Sequence, residues 1–425
     1  MQGRKSNNSA WTWVPTLYFV EGLPYFIVNT ISLIVFKDLG MDNGRLALIT
    51  SLIGLPWMIK PLWSPFVDII RSKRWWIVTM QLLMAVAVAL IAVTLPEASP
   101  FTITLILFVI AAFASATHDI AADGFYMLAL DKDSQSAFVG IRNTFYRVAM
   151  VFGQGVLVVI AGILEVRTGN AAAAWRITLV IAAVILFAAT LSHSLLLPAP
   201  ESDGNEEKKT GIRVLHEFGS AFGSFFSKKG IWVAVAFMLL YRLPEAFSVK
   251  MLYPLFSDPV SAGGLGLDKE AYGLVYGTAG VIALLAGGIL GGLHIAKKGL
   301  RRCMLLMALS LALPCAVYLY MAMFQPSSIW TIGACVVFDQ FGYGYGFTAY
   351  TVYMMRFADG PLKTSHYAIC TGFMALSMLL PGAVAGYLQQ SLGYVGFFVL
   401  VMVSCTATIA VTLVARRSSC INDKI

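Results

Sequence analysis

The chain has 425 residues, 58% of them apolar and only 12% charged, and its mean hydropathy is +0.77. An ordinary soluble domain carries roughly a quarter charged residues, so water is excluded as the main solvent. The net charge of +8 follows from basic loops beside a membrane, not from a face for nucleic acid, and nucleic acid is excluded as a partner.

Uncharged apolar runs of about 20 residues recur along the chain, and such a run crosses a hydrocarbon core roughly 30 Å thick. They lack the alternation of a barrel, and only a helix satisfies its own backbone in lipid, so the predicted class is all-α integral membrane. Spans are expected at 11–36, 44–66, 75–95, 101–127, 137–165 and 175–197, then at 230–256, 271–295, 302–324, 328–355, 366–390 and 394–415. The first run is too long for a signal-peptide core and has no small-residue cleavage site, so it is read as retained. Residues 198–229, with Glu201, Asp203, Glu206, Glu207, Lys208 and Lys209, read as a cytoplasmic linker between an N-terminal bundle (1–197) and a C-terminal bundle (230–425). The six cysteines lie in the second half without paired spacing and read as apolar filler.

Lys and Arg concentrate in alternate loops: Arg4/Lys5, Arg71/Lys73/Arg74, Lys132, the linker, Lys297/Lys298/Arg301/Arg302, Lys363 and Arg416/Arg417. This places both termini in the cytoplasm, with an even number of spans, about twelve. Span 1 reads Glu21-Gly-Leu-Pro24 and span 7 reads Arg242-Leu-Pro244-Glu245; span 4 carries Asp119 and span 10 Asp339; span 5 opens Ser136-Ala-Phe and span 11 Ser365-His-Tyr. Each correspondence joins spans six apart, which implies two parallel six-helix halves, the major facilitator fold.

A charge inside a span costs at least about 2.5 kcal/mol on insertion scales, so each needs a partner or a wet cavity. Counting about 1.5 Å per residue, Glu21, Arg147, Arg242, Glu245 and Asp339 fall near mid-depth, and Lys60, Asp119, Asp123 and Arg142 nearer the cytoplasm. Glu21, Tyr25, Asn29 and Ser32 form one helical stripe, and Asn143, Arg147, Met150 and Gln154 a second. Asp339, Tyr343, Gly346 and Tyr350 form a third, whose aromatics suit stacking on sugar rings and whose glycine leaves room; Tyr241, Arg242 and Glu245 join them from span 7. These polar residues are expected to bind a solute, the alternative for each being an interhelical hydrogen bond or ion pair.

Asp119 and Asp123 share a face of span 4, with His118 about 100° round the helix. Paired carboxylates in a low-dielectric site can change protonation near neutral pH, so the two are the expected proton couplers. The competing reading pairs them permanently with Arg142, Arg147 or Lys60. Asp68, Arg71, Lys73 and Arg74 are a worn form of the major facilitator loop motif Gly-x-x-x-Asp-Arg-x-Gly-Arg-Arg, with Ser64 where Gly is expected. Lys60, Asp68 and Arg142 are read as gating charges.

Several segments resemble the AmpG-type muropeptide permeases, a branch of the major facilitator superfamily related to acetyl-CoA transporters. They are Gly22-Leu-Pro24, Lys60-x-Leu-Trp-Ser-Pro65-x-x-Asp68, Ser115-x-x-x-Asp119-x-x-x-Asp123, Tyr146-Arg147, Asp339-Gln-Phe-Gly342, and Tyr367-Ala368 with Gly382 and Gly386. The resemblance implies proton-driven import of N-acetylglucosaminyl-anhydro-N-acetylmuramic acid, with or without peptide, across a bacterial inner membrane during peptidoglycan recycling. It also implies a monomer in the lipid bilayer that needs no cofactor beyond the proton gradient. Arg147 and Arg242 would meet the acid, and Glu21, Asn143, Gln154 and the tyrosines the hydroxyl and acetamido groups. The chain departs from the family pattern at His118, where Gln is expected, and at Glu21, where a small residue is expected. Import of another disaccharide or small organic acid is the nearest alternative, and a membrane signal transducer one of another class. No metal-ligand spacing, Ser/His arrangement or phosphate loop supports an enzyme.

Overall fold

The computed structural model describes residues 10–95, 101–199, 219–220, 222–360 and 362–417, so most of the 198–229 linker lies outside the described residues. The side chain of Asp68 lies outside them too. The regular structure among the described residues is all helical, with no strand. In chain order the long helices are α1 (Val14–Asp38), α2 (Asn43–Leu62), α3 (Lys73–Thr94), α4 (Phe101–Ala129) and α5 (Lys132–Val151, continuing to Thr168). Then follow α6 (Ala171–Leu196), α7 (Ile231–Ser257), α8 (Lys269–Lys298), α9 (Leu300–Phe324), α10 (Ile329–Ala358) and α11 (Lys363–Ala415). Ten helices among the described residues are long and apolar enough to cross a membrane. α11 makes a sharp bend at Gly393, whose φ of +67° is left-handed.

The helix starts are written in the sequence. Asp42, Ser72, Asp131, Asn170 and Asp268 each accept a hydrogen bond from a backbone N–H three residues on, which supplies one donor of a first turn with a partner. Within the spans the packing relies on small residues, because lipid gives helices no hydrophobic drive to associate. A Cβ on Gly344 would meet the Leu284 carbonyl oxygen at 2.0 Å, and one on Gly287 the Phe341 oxygen at 2.1 Å, so α8 and α10 touch backbone to backbone. Gly342 and Gly346 press in the same way on Ser310 and Met307 of α9. The glycine of the α10 stripe therefore serves helix packing; it does not open room for a solute.

Contacts divide the chain into two compact units, 1–39 with 59–215 and 40–58 with 216–425. The division falls inside α2. Its first part, Gly40–Met58, packs with the second unit: Gly386 of α11 lies against the backbone of Asn43, and Asn43 donates to Gln389 at 2.7 Å. Helix α2 is interrupted just there, at Gly54, before Pro56 and a tight turn over Lys60–Leu62.

In the first unit, α1 and α5 are in close contact. A Cβ on Gly22 would stand 2.9 Å from Ala149 and 3.0 Å from the Tyr146 carbonyl oxygen. Both helices widen into a π turn, Ile27–Ile31 and Phe152–Val156. Gln154 in one donates to Thr30 in the other at 3.0 Å. Such turns interrupt the regular ladder and recur at functional places.

Candidate functional site: a charge cluster in each unit

The first unit gathers five charged side chains from four helices. Asp119 of α4 accepts a hydrogen bond from Lys60 of α2. One turn along α4, Asp123 pairs with Arg142 of α5, Nη2 to Oδ1 at 2.7 Å. The Arg142 guanidinium also lies 4.6 Å over the ring of Tyr18 and 5.5 Å over that of Tyr126, a geometry that favours a cation. Glu21 of α1 completes the group; its electrostatic neighbours are Asp123, Asp119, Arg142 and Lys60.

Glu21 therefore belongs with the charges that the sequence sets in a separate, more cytoplasmic layer. The reason is where the helices begin. α1 starts at Val14 and α5 at Lys132, ahead of the expected 137, which puts Glu21 about 10 Å and Arg142 about 15 Å along their helices. The starts of α1 and α5 and the end of α4 share one apolar cluster, with Trp13, Leu17, Tyr18, Phe125, Tyr126 and Phe138 among its members. The carboxylates thus have the cationic partners that the competing reading assigns them, except that Arg147 is not one of them.

Arg147 is exposed and makes no hydrogen bond or ion pair with a described residue, and Asn143, one turn before it, is exposed as well. The rest of the two first-unit stripes is engaged locally. Asn29 donates to the Tyr25 carbonyl at 3.0 Å, Gln154 to Thr30, and the Tyr25 ring lies 6.5 Å from that of Tyr146.

His118 faces away from the carboxylates. Its Nε2 is 2.9 Å from the side-chain amide nitrogen of Gln81, whose oxygen is 3.0 Å from Nδ1 of His193; Nε2 of His193 in turn is 2.9 Å from Thr16 Oγ1. A polar chain, buried at His118, Gln81 and His193 and exposed at Thr16, thus links α4, α3, α6 and α1. Sequence reasoning singles out His118 alone here, although Gln81 and His193 are polar groups in spans that would cost free energy if left without partners.

In the second unit Arg242 and Glu245 of α7 bind each other through two parallel hydrogen bonds of 2.8 and 2.7 Å. Arg242 also donates to Tyr343 of α10 at 2.9 Å and lies 4.8 Å over Phe347. Tyr241 is fully buried, its hydroxyl donating to the Gly346 carbonyl at 2.9 Å and its ring stacked on Tyr350. Asp339 is buried and accepts from Tyr318 at 2.6 Å and from Gln340 at 3.1 Å. The sequence-predicted residues of this half are brought together on α7 and α10, with Tyr318 of α9 as an unforeseen partner. A second residue missed is Lys250. Its ammonium donates to the Thr50 carbonyl at 3.1 Å, with no carboxylate of the described residues paired to it. A lysine inside an expected span was the available signal.

The arrangement is a membrane-buried helical protein in which, among the described residues, Lys60, Asp119, Asp123, Arg142, Arg242 and Glu245 are held in pairs, the carboxyls of Glu21 and Asp339 have no cation of their own, and Arg147 makes no hydrogen bond or ion pair. Comparison with known proteins agrees with the fold. The model of the Major Facilitator Superfamily matches residues 16–386. The anhydromuropeptide permease of Escherichia coli K12 is 23% identical over 414 residues, covering 95% of this chain and 79% of the relative. A transporter of Rickettsia conorii named AmpG 4 is 24% identical, covering 91% and 92%. Among solved structures, the nucleoside transporter NupG superposes with a TM-score of 0.73 at 15% identity, covering 96% and 98%. A proton-dependent oligopeptide transporter superposes at 0.71 and 14%, covering 96% and 97%. The chain belongs to the Major Facilitator Superfamily, as a multi-pass membrane transporter of small molecules whose similarity within that family is to the AmpG-type permeases.

Proposed function

We propose that the protein imports anhydromuropeptides, N-acetylglucosaminyl-anhydro-N-acetylmuramic acid with or without its peptide, across a bacterial inner membrane, driven by protons and working by alternating access as a monomer. The observation that carries this reading is Arg147. A guanidinium near the middle of a spanning helix costs several kcal/mol against lipid, so its exposure calls for water around it. A guanidinium in such a place and free of protein carboxylates suits a solute carboxylate, which it binds bidentately. Asn143 beside it can meet an acetamido group. An acidic amino sugar supplies both groups, and the similarity to the permease of Escherichia coli, whose name states such a cargo, supports the same choice.

The reading includes a twelve-span topology with both termini cytoplasmic, in which α11 supplies two spans about Gly393 and α10 is the least apolar. Protons act through the carboxyl cluster of Glu21, Asp119 and Asp123, while Lys60, Asp68 and Arg142 gate the cytoplasmic end. The test is uptake into proteoliposomes under an inward proton gradient, with the anhydro-disaccharide, its peptide-bearing form and the neutral disaccharide N,N′-diacetylchitobiose. Accumulation of the acids and not of the neutral sugar is expected. Uptake of the neutral sugar alone would refute the assignment.

A further inference from the structure

We infer that Glu21, rather than Asp119 or Asp123, is the carboxyl that carries the transported proton, an assignment that rests on the proton-coupled reading above and narrows it to one group.

Among the described residues the cluster holds three carboxyls, Glu21, Asp119 and Asp123, and two permanent cations, Lys60 and Arg142. The cations are already assigned one to one, Lys60 to Asp119 and Arg142 to Asp123. A carboxylate in contact with its own cation gains most by staying ionised and is a poor proton carrier. Glu21 has no such contact. It is 7% exposed, and its Oε2 is fully buried without a hydrogen-bond partner. An ionised carboxylate in that position loses its hydration and recovers nothing at that oxygen, at a cost of several kcal/mol. One bound proton removes the cost and makes the five groups neutral together.

The groups facing Glu21 from the neighbouring elements do not supply another counter-ion. From α4 they are Asp119 and Asp123, both acidic; from α5, Arg142, committed to Asp123, and the tyrosine Tyr146; from α2, Lys60, committed to Asp119; from α1 itself, Tyr18 and Tyr25. Arg147 is on α5 but makes no ion pair. His118 is turned into the Gln81 chain and is not a relay to this group.

The backbone at Glu21 suits a proton that must change conformation. Pro24 follows three residues on and deprives the Val20 carbonyl of its helical donor, and the π turn Ile27–Ile31 comes directly after. Gly22 sets this segment against α5. Deprotonation of Glu21 would place a third negative charge beside Asp119 and Asp123, on the stretch of α1 least held by its own hydrogen bonds. The proton enters from the acidic side, converts Glu21 carboxylate to carboxylic acid, and leaves on the opposite side when the cluster next meets solvent.

The experiment compares Glu21→Gln and Glu21→Asp with wild type in proteoliposomes, measuring gradient-driven accumulation and equilibrium exchange of the anhydro-disaccharide from pH 5 to pH 8. Glutamine copies the protonated acid. Its variant is expected to lose accumulation at least tenfold and to retain exchange within about twofold, with exchange no longer dependent on pH. Aspartate is expected to restore part of the accumulation. Glutamine accumulating like wild type overturns the inference, and so does equal loss of accumulation and exchange by a variant that melts like wild type. If glutamine does not fold, Glu21→Ala is measured in its place, and a folded alanine variant that accumulates like wild type overturns the inference. The two readings fail separately. Wild type that accumulates only some other solute refutes the muropeptide assignment, and the Glu21 comparison is then made with that solute.

Discussion

Arg142 and Asp123 form an ion pair at 2.7 Å while Arg142 also covers the ring of Tyr18. Their side chains are 27% and 42% exposed, so the pair lies between the surface case, worth about 0–1 kcal/mol, and the buried one, where loss of a partner costs about 3–5 kcal/mol. Arg142→Gln and Asp123→Asn should each destabilise the protein by about 1–2 kcal/mol on these grounds. The double variant should recover at least half of their summed cost, because neither charge is then left alone. Thermal melts of the purified variants give the cycle, and strict additivity would show that the pair contributes nothing.

The α8–α10 crossing yields a sharper contrast. Gly344→Ala puts a methyl group 2.0 Å from a backbone oxygen that cannot rotate away, whereas Gly292, on the same α8 as Gly287, has nothing within 4 Å of its Cβ position. Gly344→Ala is expected to cost about 2–3 kcal/mol or to prevent folding, through overpacking. Gly292→Ala should change stability by no more than about 0.5 kcal/mol, as for an ordinary surface substitution. Equal melting temperatures for the two variants would contradict the close backbone approach.

These two predictions also show how much could be read in the sequence. The class of the protein, the family and the order of the helices follow from run lengths and from Glu21-Gly-Leu-Pro24 and its echo in span 7, because the membrane leaves few ways to satisfy a backbone. The partners of the charges do not. Helical periodicity places Asp119 and Asp123 on one face but gives no rotation of α2 or α5 about its axis, so it could not separate a titrating pair from two ion pairs. Gly346 illustrates the same limit. Glycine beside tyrosine reads equally as room for a sugar or as contact with a helix, and only the position of Met307 decides.

Lys250 is a half-buried lysine whose hydrogen bond among the described residues is to one neutral acceptor, the Thr50 carbonyl. A charge held in a low-dielectric setting without a counter-ion carries a desolvation cost that an apolar side chain of similar length does not. Lys250→Met should accordingly melt higher than wild type. If the lysine is kept for transport, the same variant should transport at a tenth of the wild-type rate or less. A stabilised variant with full transport would mark Lys250 as structural only.

Asp42 supplies a prediction outside the spans. Its carboxylate caps α2, accepting from the Arg45 backbone N–H at 3.0 Å and from Gln390 at 3.0 Å, and these contacts, the Arg45 N–H first, hold its carboxyl below the usual carboxylate range. A carboxyl whose folded pKa is depressed adds stability that is present above its unfolded value, near 3.9, and is lost as the pH falls through the folded one. Asn caps a helix about as well but carries no charge to oppose the helix dipole. Asp42→Asn should therefore be less stable than wild type at pH 7 by a few tenths of a kcal/mol, a small gap because Asp42 is half exposed. The gap should close as the pH falls below the usual carboxylate range and the Asp42 carboxyl takes up its proton. Melts across that range read the difference directly, and a gap that persists or widens in acid would mean that the carboxylate is not its source.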